Sequence, residues 1–235
     1  MSIADKLVTI AENQQKVYDA AVKSEYDRFW DRVQQNGAKQ NYGMAFSMSI
    51  FPRPAFDPKY DMNVTNAQYM FSYWSNYLYS EYGFELDLRN CGVNIDFSQS
   101  TSFQSTFQTN YQLVAVGLFD TRSAKSLANT FYYSTNLHTI EKLIVKDDGS
   151  QTFSNTFTNC AELKNITVEG TVGTSISFQW SPLTGDSIRS VVNALSTTAT
   201  GQTATFRKTA KEAAFTADEW AALIATKSNW TFSLV

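Results

Sequence analysis

Residues 156–168 read Thr-Phe-Thr-Asn-Cys-Ala-Glu-Leu-Lys-Asn-Ile-Thr-Val, and this stretch decides the fold. Two earlier stretches share its pattern, with Thr-Phe pairs at residues 106–107 and 130–131. In all three, a leucine follows the phenylalanine after six residues, and the copies are 24 and then 26 residues apart. Fixed apolar positions with a period in the twenties are typical of a solenoid of leucine-rich-repeat size.

Stacking is what makes such a repeat stable, because one copy cannot bury its own apolar face. We therefore expect Phe107, Phe131 and Phe157 to lie above one another in a column. The Leu-x-x-Ile-x-Val part ends in an alternation of period two, which predicts a strand lining one face. The Phe-x-x-x-Phe part, with its four-residue spacing, predicts a helical turn or a short 3₁₀ segment on the opposite side.

The full set of repeat positions defines three copies and the trace of a fourth. They are Phe103, Phe107, Asn110, Leu113, Val116 and Leu118; then Leu127, Phe131, Ser134, Leu137, Ile140, Leu143 and Val145; then Phe153, Phe157, Cys160, Leu163, Ile166 and Val168. A degenerate copy starts at Ala67 and Phe71 and leads to strands around residues 84–88 and 93–97. Because the next phenylalanine comes 36 residues later, this copy contains an insertion or is a different unit.

Residues 1–36 predict an N-terminal helix ahead of the repeats. Its interleaved seven-residue series is typical of a short coiled coil, and the candidate oligomerisation positions are Leu7, Ile10, Gln14, Val17 and Ala21. Two interpretations stay open. The helix is either an amphipathic helix packed on its own domain, or a self-associating stalk in which Gln14 forms a buried polar layer.

Beyond Pro182 the repeat pattern breaks. Apolar residues at helical spacing over 188–195, an alternating stretch at 203–206, a capping box opened by Thr216 and a final alternation at 230–234 predict helix, strand, helix and strand. We expect residues 183–235 to form a small α/β C-terminal cap on a solenoid of residues 37–182. The predicted fold class is a β-rich α/β solenoid, a leucine-rich-repeat stack with an N-terminal helix.

The string at 156–168 resembles the bacterial leucine-rich repeats of the BspA type. The whole layout is similar to phage and prophage proteins of gut Firmicutes, through residues 10–19, 26–30, 183–188 and 229–231. That resemblance implies a virion or tail-associated structural or adhesion protein, and it carries over no active-site residue. The sequence departs from the repeat pattern at Asn110 and Ser134, where cysteine is usual, so those layers are expected to pack less tightly.

Composition excludes several function classes. The net charge of −3 and the pI of about 5.2 argue against binding nucleic acid through bulk charge. One histidine and two cysteines exclude a metal site of the His₂ or Cys₄ type within one chain, and we expect no cofactor. There is no signal-peptide pattern and no apolar run long enough to insert into a membrane.

Tyrosines supply the candidate contact surface, because a phenol combines a flat apolar face with a polar tip. The residues predicted for it are Tyr77, Tyr79, Tyr82, Tyr132 and Tyr133. His138 is expected to be solvated or half-buried. Cys160 is expected to pack in the repeat's inward cysteine position, and Cys91 to lie in a turn.

The predicted function is a non-enzymatic phage protein of the virion or tail, made in the bacterial cytoplasm. Its repeat surface would bind other virion proteins or a protein or glycan on the host, with homo-oligomerisation through the N-terminal helix. One alternative is a bacterial carbohydrate-binding surface adhesin. A further alternative is a polysaccharide-cleaving enzyme using acids among Glu85, Asp87, Asp147 and Asp148.

Overall fold

A computed structural model describes residues 9, 12–14, 16–17, 39–41, 62–73, 85–89, 91 and 94–235. The described strands are β1 Lys39–Asn41, β2 Met62–Asn66, β3 Leu86–Asp87, β4 Ile95–Asp96, β5 Leu113–Asp120, β6 Thr139–Ile144, β7 Asn165–Glu169, β8 Ile176–Phe178, β9 Gln202–Phe206 and β10 Trp230–Leu234. The helices with described bounds are α1 Gly185–Ala194, α2 Lys208–Ala214 and α3 Ala217–Ala225. Near the N-terminus, Thr9, residues 12–14, Lys16 and Val17 are helical.

All paired strands in the described part of the chain run parallel. They form three sheets, in the orders β1-β2-β4, β3-β5-β6-β7 and β10-β9-β8. In the second sheet Ile140 of β6 lies opposite Val116 of β5 and Ile166 of β7. Equivalent repeat positions therefore lie side by side, and the chain returns to the same edge after each circuit. We call one circuit a coil and name it by its column phenylalanine.

A column of phenylalanine rings runs through these coils. The successive pairs are Phe71–Phe107 at 5.3 Å between ring centroids, Phe107–Phe131 at 5.2 Å, Phe131–Phe157 at 5.8 Å, Phe157–Phe178 at 4.5 Å and Phe178–Phe206 at 6.2 Å, all stacked. The predicted stacking of Phe107, Phe131 and Phe157 is confirmed. The column also takes in Phe71 of the degenerate copy, and beyond the three copies it takes in Phe178 and Phe206.

The segments that carry Phe71, Phe107, Phe131 and Phe157 are successive tight turns, so the helical or 3₁₀ turn predicted for the repeats is wrong; Phe178 and Phe206 lie in β8 and β9. Thr130 N–H donates to the carbonyl of Leu127, and Ser134 N–H donates to that of Phe131. The third residues of these turns, Asn129 and Tyr133, have φ of 55° and 59°. A positive φ at the third position is the mark of a type II turn, and a helix cannot include it.

These turns also bond from coil to coil. Along the Phe107 coil, Ser105, Phe107 and Thr109 donate their N–H groups to carbonyls of the Phe131 coil. Threonine hydroxyls join the layers inside the stack: Thr130 Oγ1 lies 3.0 Å from the carbonyl of Phe103 and 2.8 Å from that of Leu127. Every buried side-chain nitrogen or oxygen of the described residues has a hydrogen-bond partner, as a polar group inside a core requires.

Asn110 and Ser134 occupy the position where cysteine is usual, and the expectation of loose packing there is wrong. Both are fully buried. Asn110 Nδ2 donates to the carbonyl of Phe71 at 3.1 Å, Ser134 Oγ donates to that of Phe107 at 2.7 Å, and Cys160 Sγ lies 3.1 Å from that of Phe131. The position thus selects a small donor that reaches the preceding coil.

Leu118 is the one position of the three repeat copies that the structure places outside the core, with 60% of its surface exposed. Val116 and Phe119 are buried, so residues 117–118 between them both face outward. Lys142, which lies opposite Leu118 in β6, is exposed as well. Two residues separate Ile140 from Leu143 in β6, but only one separates the paired Ile166 and Val168 in β7. The register of the two strands therefore shifts at this place.

The predicted C-terminal elements are confirmed, and α2 is an addition to them. The capping box of Thr216 and Glu219 opens α3. Trp220 of α3 packs edge-on against Phe206 at 6.0 Å and so covers the end of the column. The buried Lys227 donates to the carbonyls of Asn193 and Leu195 where α1 ends, a favourable place for a cation.

Helix α1 covers the outer edge of β7. Ile166 N–H donates to Ser187 Oγ and Val168 N–H donates to Ser190 Oγ, each at 2.9 Å. Ile188, Val191 and Val192 of the same helix are fully buried in the common core. Residues 183–235 therefore share one continuous core with the coils.

Candidate binding surfaces

Two outer surfaces of the coil array carry different chemistry. The sheet face consists of the outward side chains of β3, β5, β6 and β7 with the residues that end these strands. The turn face consists of the outward side chains of residues 67–73, 102–112, 126–137, 151–161 and 174–181. The same coils build both surfaces.

The turn face contains no Asp, Glu, Lys or Arg in any of its five segments. Its outward positions hold Gln, Asn, Ser, Thr and aromatic residues instead. A surface without charge favours a neutral partner, because it gives a charged polymer no complementary group.

Three exposed aromatic side chains lie along the turn face. They are Tyr73 at 45% exposure, Tyr133 at 37% and Trp180 at 47%. Each is the second residue after a column phenylalanine: Phe71, Phe131 and Phe178 respectively. The intervening coils carry the small polar residues Thr109 and Asn159 at this place.

Trp180 also lies at the third position of a tight turn, but its φ is not in the left-handed region that Tyr73, Tyr133 and Asn159 adopt, so the type of turn differs. Ser181 N–H donates to the carbonyl of Phe178 at 3.0 Å, just as Cys160 N–H donates to that of Phe157 at 3.2 Å. The aromatic residues therefore alternate with small polar ones along the column, one aromatic in every second coil. We call Tyr73, Tyr133 and Trp180 the aromatic strip.

Neighbouring side chains hold the strip's tyrosines. Gln108 Nε2 donates to the Tyr73 hydroxyl at 2.8 Å, across one coil boundary. The rings of Tyr132 and Tyr133 touch, with centroids 4.6 Å apart. Both side chains are thus supported by contacts within the surface.

The backbone at these tyrosines favours other residues. Tyr73 and Tyr133 have φ of 52° and 59°, in the left-handed region that Asn and Gly populate most readily. Asn159 occupies the equivalent place in the next coil with φ of 58°. Two tyrosines at such positions are unfavourable for the local conformation, and the same φ recurs at the third turn position of the coils from Phe71 to Phe157.

Of the predicted contact residues, Tyr132 and Tyr133 lie together on the turn face. Tyr77, Tyr79 and Tyr82 lie outside the described residues. The prediction missed Tyr73 and Trp180 as members of this surface, although a fixed offset of two from the column phenylalanine would have found them.

The predicted oligomerisation positions are described only in part. Gln14 and Val17 lie in helical residues and are exposed, Val17 at 71%. Leu7, Ile10 and Ala21 lie outside the described residues. An exposed valine on a helix fits the stalk interpretation, which stays a prediction.

The sheet face holds the charged groups and several ion pairs. At the ends of β3 and β5, Arg89 and Arg122 each hold an aspartate two residues earlier, Asp87 and Asp120, with the closest nitrogen–oxygen distance 2.6 Å in both. Burial raises the pKa of Asp120, but the hydrogen bonds from Arg122 outweigh this and hold that pKa below its usual value.

The acids of the enzyme alternative do not resemble a general acid. The Arg89 side chain lowers the pKa of Asp87, and the Ser150 N–H and hydroxyl lower that of Asp148. A general acid of a glycosidase needs a raised pKa. Asp147 is exposed in a turn, and Glu85 is exposed just before β3.

The remaining reactive side chains have structural surroundings. Cys160 is a free, fully buried thiol whose pKa burial raises, which suits packing and opposes nucleophilic chemistry. His138 is exposed, as expected. Cys91 Sγ donates to the carbonyl of Leu88.

Two open clefts lie beside the sheet face. The larger, of about 860 Å³, lies where β4 approaches β5 and includes Arg89, Asp96, Leu118 and Glu141 in its lining. The smaller, of about 390 Å³, lies between β6, β7 and the start of α1. Over the described ranges, no group of three or more His, Cys, Asp or Glu residues could hold a metal ion. Nor is any described helix long and apolar enough to cross a membrane.

No protein-family model, no curated protein and no solved structure matches this chain.

Proposed function

We propose that this chain is a non-enzymatic structural or adhesion protein that uses the outer surface of its coils to bind a protein or glycan. The observation that carries the proposal is the uncharged turn face with its strip of exposed aromatic side chains. Amphipathic aromatic residues are enriched at binding surfaces, because they combine a large contact area with few rotatable bonds.

We further propose that the array is a leucine-rich-repeat solenoid and that the protein belongs to a phage virion or tail. The solenoid rests on the parallel coils with their stacked phenylalanines. The virion assignment rests on the resemblance of residues 10–19, 26–30, 183–188 and 229–231 to phage proteins. Its partners would then be other virion proteins and a protein or glycan of the host.

Cell binding tests the role of the surface. Fluorescently labelled full-length protein is expected to bind the surface of host cells in flow cytometry, and the double variant Tyr132→Ala/Tyr133→Ala to lose most of that binding. Leu118→Ala is the matched control, because it removes an exposed apolar side chain from the sheet face instead. Equal binding by all three proteins contradicts a role for the turn face.

A carbohydrate-binding surface adhesin is the second candidate, and the absence of charge on the turn face favours it. The two candidates differ in where the protein is found. Quantitative mass spectrometry of purified particles and of cell envelopes separates them: enrichment in particles supports the virion role, and enrichment in envelopes supports the surface adhesin.

Self-association through the N-terminal helix is tested in the full chain. Val17→Asp places a charge on an exposed helical position without touching the described core. Light scattering is expected to show a larger mass for the wild type than for this variant. If both have the mass of one chain, the stalk interpretation is wrong.

A further inference from the structure

The aromatic strip has a regular spacing that points to the class of its ligand. Parallel coils lie about 4.8 Å apart, so aromatic residues in every second coil recur after about 10 Å. The ring spacings of the Phe column, 5.2 Å for Phe107–Phe131 and 5.3 Å for Phe71–Phe107, agree with this layer distance. Tyr73, Tyr133 and Trp180 thus form three platforms at two nearly equal intervals.

An extended β-1,4-linked polysaccharide repeats after two sugar units, over a length close to that interval. Every second sugar in such a chain turns the same apolar face of its ring to the same side. We propose that the strip binds a neutral, extended β-1,4-linked glycan, with one sugar face on each of Tyr73, Tyr133 and Trp180. This inference rests on the proposed function, because it names the ligand of that same surface.

The groups between the platforms suit the hydroxyls of such a chain. Gln108 and Tyr132 lie beside the strip and are partly exposed, and Thr109 and Asn159 fill the alternate places within it. All are neutral and can both donate and accept hydrogen bonds. A glycan that carries carboxylates or sulfates would find no cation among the turn-face segments.

The left-handed backbone at Tyr73 and Tyr133, which Trp180 does not share, is a supporting observation. Asn159 shows which residue type the backbone accepts at this place, yet Tyr73 and Tyr133 occupy it with φ near 55°. Keeping an aromatic residue there lowers stability without filling the core, since both side chains are exposed. Ligand contact gives a reason for keeping it.

Isothermal titration of the full chain with cellohexaose and with chitohexaose tests the inference. Binding of either hexasaccharide supports the shared β-1,4 chemistry, and which of the two binds identifies the sugar unit. Maltohexaose, with α-1,4 linkages and a curved shape, is expected to bind at least about tenfold more weakly, a difference of about 1.4 kcal/mol. A disaccharide of the preferred sugar reaches only one platform and is expected to bind more weakly than the hexamer.

Two variants connect the binding to the strip. Trp180→Ala and Tyr133→Asn are each expected to weaken hexasaccharide binding about tenfold, and Leu118→Ala to leave it unchanged. Tyr133→Asn is also expected to keep or raise the melting temperature, because asparagine suits the left-handed conformation. Lost binding in a protein of equal or higher stability cannot come from unfolding.

The outcomes separate this inference from the proposal on which it rests. If the wild type binds neither hexasaccharide but still binds cells through the turn face, the glycan class is wrong and the adhesion proposal stands. Maltohexaose binding as tight as that of the β-1,4 hexamers overturns the spacing argument. Unchanged binding by Trp180→Ala and Tyr133→Asn overturns the assignment to the strip.

Discussion

The sheet face and the turn face are two sides of the same coils, yet their side chains differ in charge. On the sheet face, the parallel strands expose charged side chains that pair with one another, such as Lys142 with Glu169 at 2.9 Å. On the turn face, the backbone is bonded from coil to coil as it is in the sheet, but the side chains carry no charge. The difference shows that order within the stack does not require charged pairs at its surface.

The two faces depend equally on the interior between them. Phe131 is fully buried between Phe107 and Phe157, and its ring also touches Phe119 of β5. The column therefore joins the turns on one side to a strand on the other. Perturbations should have their largest effect there and their smallest at exposed ion pairs.

Phe131→Ala is the largest perturbation of this comparison. The change removes a fully buried ring and leaves a cavity between two stacked neighbours, so we expect the free energy of unfolding to fall by about 3–5 kcal/mol. Urea denaturation followed by circular dichroism measures it. A loss below about 1 kcal/mol would show that the column does not join the two faces. The control is Tyr132→Ala, which changes the partly exposed residue next to Phe131.

Asn110→Ala tests the hydrogen bonds between coils. Asn110 Oδ1 accepts from the N–H groups of Gln112 and Leu113, and its amide donates to Phe71. Because the change leaves buried backbone groups unsatisfied, we expect a loss of about 2–3 kcal/mol. Ser134→Cys keeps a small donor at the same place in the next coil and should cost less than about 1 kcal/mol. Equal losses would contradict the role of the donor.

Asp120→Asn tests the ion pair of the sheet face in which the aspartate is buried and its partner, Arg122, is half exposed. The folded pKa of Asp120 is lowered, so the carboxylate's contribution to stability is present above its unfolded pKa and is lost as the pH falls through the folded one. We expect a loss of about 1–2 kcal/mol at neutral pH, shrinking toward zero in acid. Denaturation at pH 7 and pH 3 measures it.

Asp87→Asn provides the comparison for that experiment. Its side chain is 26% exposed, against 8% for Asp120, although the arginine contact has the same length. Solvent screening should make the loss smaller than at Asp120. A larger loss at Asp87 would show that burial is not what strengthens the pair.

Lys142→Ala is expected to have the smallest effect. The Lys142–Glu169 pair is about half exposed at both ends, so its contribution should be below about 0.5 kcal/mol and should vanish in high salt. Thermal melts at low and high ionic strength check this. A loss above about 1 kcal/mol that persists in salt would mean that the sheet face depends on its charges after all.

The sequence predicted the column because the Thr-Phe pairs and the leucines recur at fixed offsets. It did not predict Phe178 and Phe206 as column members, since the spacing changes to 21 residues and then, with α1 inserted between the two, to 28. Spatial continuity without a constant period is visible only once the chain is folded.

The turns were misread for a physical reason. Apolar residues four apart fit a helix as well as two successive turns, and only the sign of φ at the third residue decides between them. Ser105, Asn129 and Asn155 hold that position in three coils, and Tyr69 holds it in a fourth. No single residue type occurs at this position in all four coils, so the sequence pattern did not distinguish two turns from a helix.

The candidate surface was predicted in part for a related reason. Tyr132 and Tyr133 stand out as a pair of aromatic residues, whereas Tyr73 is one of several aromatic residues at 69–79 and Trp180 lies far along the chain from both. Tyr73 and Trp180 join Tyr133 only through the stacking of coils. Long-range alignment created by the fold, and not local composition, defines the strip.

The serine contacts of α1 on β7 have a consequence for the protein at high concentration. An open strand at the end of a sheet is a template on which another molecule can continue the sheet, and that route leads to fibrils. Here the hydroxyls of Ser187 and Ser190 already occupy the amide groups of Ile166 and Val168. At high concentration, molecules should therefore not pair their sheets edge to edge through β7.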